Sequence, residues 1–127
     1  MQFGLFGGAR TKRGDGAADS HAYDDFIAYV VEAERLAFRS VFLVEHHFTG
    51  AGQISASLTL LAYLAARTRT IRLGTAVIVL PWHNPVLLAE QAATVDLLSG
   101  GRLDLGVGKG YRASEFAGLH VPMNEAT

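Results

Sequence analysis

The stretch VFLVEHHFTGAGQ, Val41–Gln53, runs from four apolar residues directly into a glutamate, two histidines and a phenylalanine. Residues 41–44 lack helical spacing and follow a short break, which is typical of a parallel strand that is buried on both faces. Parallel α/β sheets carry their chemistry at the carboxyl ends of their strands, where Glu45, His46 and His47 would lie. We therefore expect a functional site to begin at this strand end.

The rest of the chain alternates strand and helix in the same way. Segments of strand character start near residues 2, 40, 71 and 102, and helical segments with an apolar face separate them. This β-α-β-α-β-α-β order, followed by the start of another helix, predicts a parallel sheet with right-handed crossovers. An open doubly wound sheet and part of a (β/α)₈ barrel both fit. A barrel of eight such units needs about 250 residues, so the 127 residues here would supply half of one.

Local signals predict where several elements begin and end. Ser20 is expected to cap the first helix, and Asn84 the third helix, with a proline at its first position. Strand three is expected to occupy residues 71–80, which are rich in β-branched side chains. Strand four is expected at residues 102–107. The third helix is expected to stop at the sequence SGG.

Composition and charge narrow the class of protein. The chain is 50% hydrophobic and 18% charged, with a net charge of -1, which gives no support for a nucleic-acid or membrane-surface partner. It contains no cysteine, which rules out disulfides and thiolate metal sites and fits a reducing, cytoplasmic compartment. The start MQFGLFGGARTKR has no signal-peptide pattern, and no apolar run approaches the roughly 20 residues of a membrane span.

The two adjacent histidines allow several interpretations. Successive strand residues point to opposite faces, so Glu45 and His47 should share one side, with His46 on the other. Adjacent histidines on a strand cannot readily chelate one ion, so we expect no metal site. A solvated strand end without a function is one alternative. An acid–base or ligand-orienting role is favoured, because imidazole exchanges protons near neutral pH.

The glycine-rich run GVGKGYR, Gly106–Arg112, follows strand four. Its glycines let the backbone approach a ligand, its amides can bind an anion, and Lys109 and Arg112 add positive charge. It matches neither nucleotide-binding motif: Tyr111 stands where the dinucleotide fingerprint needs glycine, and no Ser or Thr follows Lys109 as in a Walker A loop. A flexible loop with solvated cations is an equal alternative.

Two further patterns, a run of small residues and a pair of aspartates, each allow a functional interpretation. The small residues 74–76 could leave room for a flat ligand at the end of the sheet, or could serve tight packing against a helix. Asp96 and Asp104 invite assignment as a carboxylate pair, but nothing in the sequence brings them together. We therefore expect neither aspartate to be catalytic.

In their order and spacing, these motifs resemble the bacterial-luciferase-like flavin-dependent monooxygenases. The likeness is carried by VFLVEHHFTGAG, by IRLGTAVIVLPWHNPVLLAEQAATVDLLSGGRLDLGVGKGYRASEF and by VPMNEA. It implies the first half of a TIM-type (β/α)₈ barrel, truncated after strand four, as a single partial domain over residues 1–127. It also implies an oxidoreductase in which reduced FMN and O₂ oxygenate a small organic substrate, a long-chain aldehyde in the luciferases, with a flavin reductase as a partner. A deazaflavin (F420)-dependent hydride transfer is the alternative branch, although the form EHHF favours the monooxygenases.

The resemblance assigns roles to residues at the end of the second strand and within the third. His46 matches the catalytic histidine of the family, and Glu45 matches the acidic residue that precedes it near the flavin. Ala76 and Val77 match a pair that lies against the isoalloxazine ring and is joined in the luciferases by a cis peptide bond. Val77 is bulkier than the alanine of the luciferases.

The glycine-rich run carries the remaining roles. Lys109 matches a basic residue that meets the flavin phosphate, and Tyr111 and Arg112 follow it beside the cofactor. The luciferases have arginine at position 109, so lysine keeps the charge but loses the bidentate fork. Gly108 stands where the luciferases have a reactive cysteine.

Half a barrel raises a second class of function. A parallel sheet of four strands exposes two unpaired edges and one face, so the chain is expected to pair with another copy or with a C-terminal half. Association of copies through the second and third helices is an expectation from the family. A non-catalytic remnant or half-barrel interaction fragment is therefore the alternative to an enzyme half.

Overall fold

A computed structural model describes residues 1–9, 17–49 and 54–123. Strands and helices alternate along the described chain, with a short 3₁₀ turn after the fourth strand. The elements are β1 (Gly4–Gly7), α1 (Ala17–Arg35), β2 (Ser40–Leu43), α2 (Ser57–Arg67), β3 (Arg72–Thr75), β4 (Ile78–Val79), the 3₁₀ turn Leu80–Trp82, α3 (Pro85–Ser99), β5 (Leu103–Asp104), β6 (Val107–Gly108) and α4 (Ala113–Gly118).

The strands form a parallel sheet in the order β1-β2-β3-β5, and β4 and β6 pair in parallel beyond it. In register, Phe6 lies opposite Phe42, and Phe42 lies opposite Gly74. The four carboxyl ends therefore point the same way, as the alternating sequence predicts. This arrangement confirms the α/β class.

The helices cover one face of this sheet. Val41 and Leu43 of β2 and Leu73 of β3 are fully buried in a core that also contains side chains of α1, α2 and α3. The opposite face is open, and Phe6 on it is 71% exposed. Helices on a single face are the arrangement of a barrel wall, whereas a doubly wound sheet has helices on both faces. The exposed face expected for half a barrel is thus present.

Glu34 of α1 fixes the start of β3. Its carboxylate accepts hydrogen bonds from the backbone N–H groups of Arg69, Thr70 and Ile71, at 2.6–2.9 Å from Oε1. Burial raises the pKa of the Glu34 carboxyl, but these backbone donors outweigh burial and hold it below its ordinary value. The pair Arg72–Asp104 joins β3 to β5 at 2.7 Å, and the Arg72 hydrogen bond lowers the pKa of Asp104.

Some predicted boundaries are wrong and others are confirmed. Ser20 lies inside α1, which begins at Ala17, so Ser20 is not its cap. Asn84 caps α3 as predicted, because its side chain accepts from the N–H groups of Val86 and Leu87. The third helix ends as expected, with Gly100 in the left-handed conformation at φ 70°.

Residues 71–80 and 102–107 are each divided into two short strands, whereas the sequence pattern predicts one strand in each. The cis peptide bond that the resemblance implied at Ala76–Val77 is present, and it separates β3 from β4. Beside this break, Oγ1 of Thr75, the last residue of β3, donates to the Gly106 carbonyl at 2.8 Å and accepts from the Gly106 N–H at 3.0 Å; Gly106 lies between β5 and β6. A Cβ at Gly106 would collide with the Thr75 carbonyl oxygen, so glycine permits this close approach. In the described parts of the chain, no helix has the length and apolar character needed to cross a bilayer.

Candidate functional site

A cavity of about 310 Å³ lies at the carboxyl ends of the strands. Its walls come from the ends of β1 and β2, the break between β3 and β4, and the segment from β6 into α4. Six of the seven residues that the sequence assigned to the site line it: Glu45, His46, Ala76, Val77, Lys109 and Tyr111. Residues from three separate motifs thus meet at one place.

Arg112 is the seventh predicted residue, and it does not line the cavity. Its guanidinium lies over the Tyr111 ring, 5.5 Å from the ring centroid, and its Nε donates to the Tyr111 hydroxyl at 3.2 Å. Lys109 and Tyr111 are exposed at the edge of the cavity. Arg112 is therefore placed to hold Tyr111 rather than to face the cavity.

The wall formed by Ala76 and Val77 faces Gly108 of the neighbouring strand. A Cβ at Gly108 would lie 2.8 Å from Val77 Cγ2, which is closer than real side chains approach. Gly108 therefore makes room for the valine. The small residue Gly74 has a different use, because a Cβ there would overlap the Phe42 ring. Gly74 therefore packs tightly, but against Phe42 of the neighbouring strand and not against a helix as the alternative had it, while Ala76 opens onto the cavity.

His46 is held by a carboxylate from a distant part of the chain. Its Nδ1 lies 3.1 Å from Oε1 of Glu115, and the same oxygen accepts from the His47 backbone N–H at 2.9 Å. Glu115 is 2% exposed and lies in the first turn of α4. A carboxylate is an acceptor only, so this contact places the imidazole proton on Nδ1 and the lone pair on Nε2. Glu115 thus engages Nδ1 of His46 and not Nε2.

Glu45 lies on the other side of this strand end and is 4% exposed. Its Oε2 accepts from the Val79 backbone N–H at 2.6 Å, and its Oε1 lies 2.7 Å from Nε2 of His83. His47 Nε2 is 3.5 Å from the same Oε1. Glu45 and His47 therefore share one side, as alternation predicts, and His46 faces the other.

Trp82, which lines the cavity, packs against two other aromatic rings. Trp82 contacts the His47 ring edge-on at a centroid distance of 5.2 Å and the Phe116 ring at 5.3 Å. These contacts pack the turn after β4 against α4. The described residues hold no group of three or more metal-ligating side chains.

Three residues of this site are not revealed as functional by the sequence: Trp82, His83 and Glu115. The role of Asn84 as a cap explained the PWHNP segment and left His83 and Trp82 without an assignment. The partners of Glu115 lie 68 and 69 residues away in the chain. The sequence feature that points to Glu115 is its place just after the glycine-rich run, in the first turn of α4.

Comparison with known proteins gives a consistent result. The family profile described as luciferase-like monooxygenase matches residues 1–127. The chain is 44% identical over 88 residues, 69% of its length, to 4-hydroxyprotoasukamycin monooxygenase of Streptomyces nodosus subsp. asukaensis, and covers 24% of that protein. It is 35% identical over 115 residues, 91% of its length, to limonene 1,2-monooxygenase of Rhodococcus erythropolis, and covers 29% of it.

Solved structures show the same fold. The monooxygenase RslO1 from Streptomyces bottropensis has a TM-score of 0.86 and 32% identity, with 99% of this chain and 38% of RslO1 covered. The FMN complex of the oxygenating constituent of 3,6-diketocamphane monooxygenase from Pseudomonas putida has a TM-score of 0.89 at 22% identity, with 99% and 37% covered. An F420-dependent tetrahydromethanopterin reductase from Methanopyrus kandleri has a TM-score of 0.72 at 23% identity, with 95% and 30% covered.

The chain corresponds to only part of each relative. The chain spans between 24% and 38% of the length of the five proteins named. The partial (β/α)₈ barrel expected from the sequence is confirmed by the match over almost the whole chain.

Proposed function

The chain belongs to the luciferase-like monooxygenase family, and from this we propose that it forms the flavin-facing part of a flavin-dependent monooxygenase. The complete protein would use reduced FMN and O₂ to oxygenate a small organic substrate, of which an aldehyde is one example. The observation that carries the proposal is the placement of His46, with Nδ1 bound to Glu115, in the wall of a cavity at the strand ends.

The residues present fit a flavin. The cavity wall at Ala76 and Val77 has no polar side chain, and Gly108 beside it adds no Cβ. Lys109 supplies a cation at the exposed edge, where a phosphate would be solvated. Reduced FMN, when bound, supplies the electrons that activate O₂. The apolar wall would hold the ring and exclude water, and Tyr111 would cover the cavity edge.

His46 is proposed as the acid–base group of this site. Because Nδ1 is engaged by Glu115, Nε2 is the atom that accepts or returns a proton. Glu45 is proposed to act differently. Glu45 also lines the cavity, but both of its oxygens already bind protein groups, the Val79 N–H and His83, so it would hold the wall in place beside the flavin.

The alternatives differ in measurable ways. Hydride transfer with F420 fits the same fold, but the F420-dependent neighbour is 23% identical and supports the fold alone. A half-barrel remnant would keep the geometry without turnover. A separate flavin reductase, association of copies and a cytoplasmic location belong to the proposal for the complete protein.

A titration separates these functions. We expect the protein to quench the fluorescence of oxidised FMN with a micromolar Kd, to bind reduced FMN anaerobically, and to reoxidise it when O₂ is admitted. Tighter binding of F420 than of FMN would favour hydride transfer. Absence of binding by either cofactor would favour the remnant and reject the proposed function.

A further inference from the structure

The buried carboxylate of Glu45 has one side-chain partner among the described residues that is within hydrogen-bond distance. His83 Nε2 lies 2.7 Å from Glu45 Oε1, whereas His47 Nε2 lies 3.5 Å from it and has no hydrogen-bond partner. The other oxygen, Oε2, accepts from the Val79 N–H. His83 and the Val79 N–H therefore together hold the carboxylate, one at each oxygen, and His83 is the side chain of the two.

His83 itself is well placed for this. Its backbone N–H donates to the Leu80 carbonyl at 3.1 Å, which closes the 3₁₀ turn, and Asn84 next to it caps α3. Its side chain is 28% exposed, whereas that of Glu45 is 1% exposed. The imidazole thus reaches inward from a firmly held turn and joins the segment after β4 to the end of β2.

We propose that His83 is a positioning residue of the flavin site, which acts through Glu45. By donating Nε2–H to Oε1, His83 keeps the carboxylate directed at the Val79 N–H and partly compensates its charge beside the cavity. The inference rests on the proposed function, because Glu45 and Val79 line the cavity in which the flavin is placed. It adds to that function a residue outside the cavity wall.

Charge gives this contact a specific consequence. A reduced flavin ring is more negative than an oxidised one, so an uncompensated carboxylate nearby weakens binding of the reduced form more than that of the oxidised form. Without the His83 donor, Glu45 loses a charge-assisted hydrogen bond that is stronger than a neutral one. Loss of His83 should therefore change the ratio of the two affinities, which loss of packing alone would not do.

The test compares His83→Leu with His83→Gln, whose side-chain amide also donates at about the reach of Nε2. We expect His83→Leu to raise the ratio of reduced-FMN Kd to oxidised-FMN Kd about tenfold, which lowers the two-electron potential of bound FMN by about 30 mV. His83→Gln should restore most of the ratio. His21→Leu, an exposed histidine on α1, is the matched control and should leave the ratio unchanged. If His83→Leu does not fold, His83→Asn replaces it. The Asn side chain is one carbon shorter than that of Gln, so its amide should not reach Glu45 Oε1, and the donor is lost.

The outcomes are distinct. A tenfold change in His83→Leu with recovery in His83→Gln supports the inference. Equal ratios in the wild type and His83→Leu overturn it while the proposed function stands. A change that His83→Gln does not recover also overturns it, because the effect would then not come from the donor. A wild-type protein that binds neither form of FMN overturns the proposed function and this inference with it.

Discussion

The imidazole Nδ1 of His46 and the carboxylate Oε1 of Glu115 lie 3.1 Å apart, although 69 residues separate them in the chain. The contact joins the end of β2 to the first turn of α4. Glu115 is 2% exposed and the His46 side chain is 21% exposed, so the contact is part-buried. In the proposed site, this carboxylate would fix which imidazole nitrogen carries the proton.

Replacing Glu115 should change the tautomer of His46 without preventing FMN binding. We expect Glu115→Gln to lower kcat by about 10–100-fold, by analogy with carboxylates that orient metal-binding histidines. Nitrogen NMR of the wild type should show the proton of neutral His46 on Nδ1, and this preference should weaken in Glu115→Gln. Glu90→Gln, an exposed change on α3, serves as the control. An unchanged tautomer in Glu115→Gln would contradict this role.

Replacing His46 itself should separate chemistry from binding. We expect His46→Ala to lower substrate oxygenation by about 10²–10⁴-fold, the usual contribution of a general acid or base. The Kd for FMN should change little, because His46 forms only part of the cavity wall. Steady-state turnover and a fluorescence titration measure the two effects. Full activity in His46→Ala would show that the acid–base assignment is wrong.

Gly108 and Val77 should behave as a coupled pair. Gly108→Ala places a Cβ 2.8 Å from Val77 Cγ2, and we expect this overpacking to cost about 1–3 kcal/mol of stability. Val77→Ala removes the methyl group that is hit, so the double variant should recover most of the loss. A double-mutant cycle by urea unfolding measures the coupling. Additive losses would show that the two residues are independent.

Glu34 predicts a dependence of stability on pH. Its folded-state pKa lies below its ordinary value, so its stabilising effect is present above the ordinary pKa and is lost as pH falls through the folded-state pKa. Glu34→Gln should cost about 1–2 kcal/mol at neutral pH and should flatten the acid limb of the stability curve. Glu32→Gln removes an exposed pair with Arg35 and should change little. Urea unfolding across pH would test this, and equal acid limbs in the wild type and Glu34→Gln would contradict it.

Local sequence patterns predict some elements of this fold and not others. The buried strand before Glu45, the Asn84 cap and the alternation of Glu45 and His46 follow from short-range rules, and each is present. The break between Ala76 and Val77 lies within an apolar β-branched run that has no local interruption signal. At this break Thr75 of β3 bonds the backbone of Gly106, which is 31 residues away in the chain, and local patterns do not reveal such a contact.

Part of the candidate site can also be predicted from the sequence. The parallel order of strands brings Glu45, Val77 and Lys109 to one edge, and the structure places them around one cavity. The pairs Glu115–His46 and His83–Glu45 could not be predicted, because neither spacing nor composition encodes contacts between residues that are 69 and 38 positions apart. Arg112 was assigned from the motif, but its guanidinium packs on Tyr111.

Mapping FMN onto the backbone amides of the isotope-labelled protein tests the central claim most directly. We expect the shifts to concentrate at His46, Val77, Gly108 and Tyr111, with little change in the groove between α2 and α3, which lies away from the cavity. Shifts confined to that groove, or absent at saturating FMN, would contradict a flavin site at the strand ends.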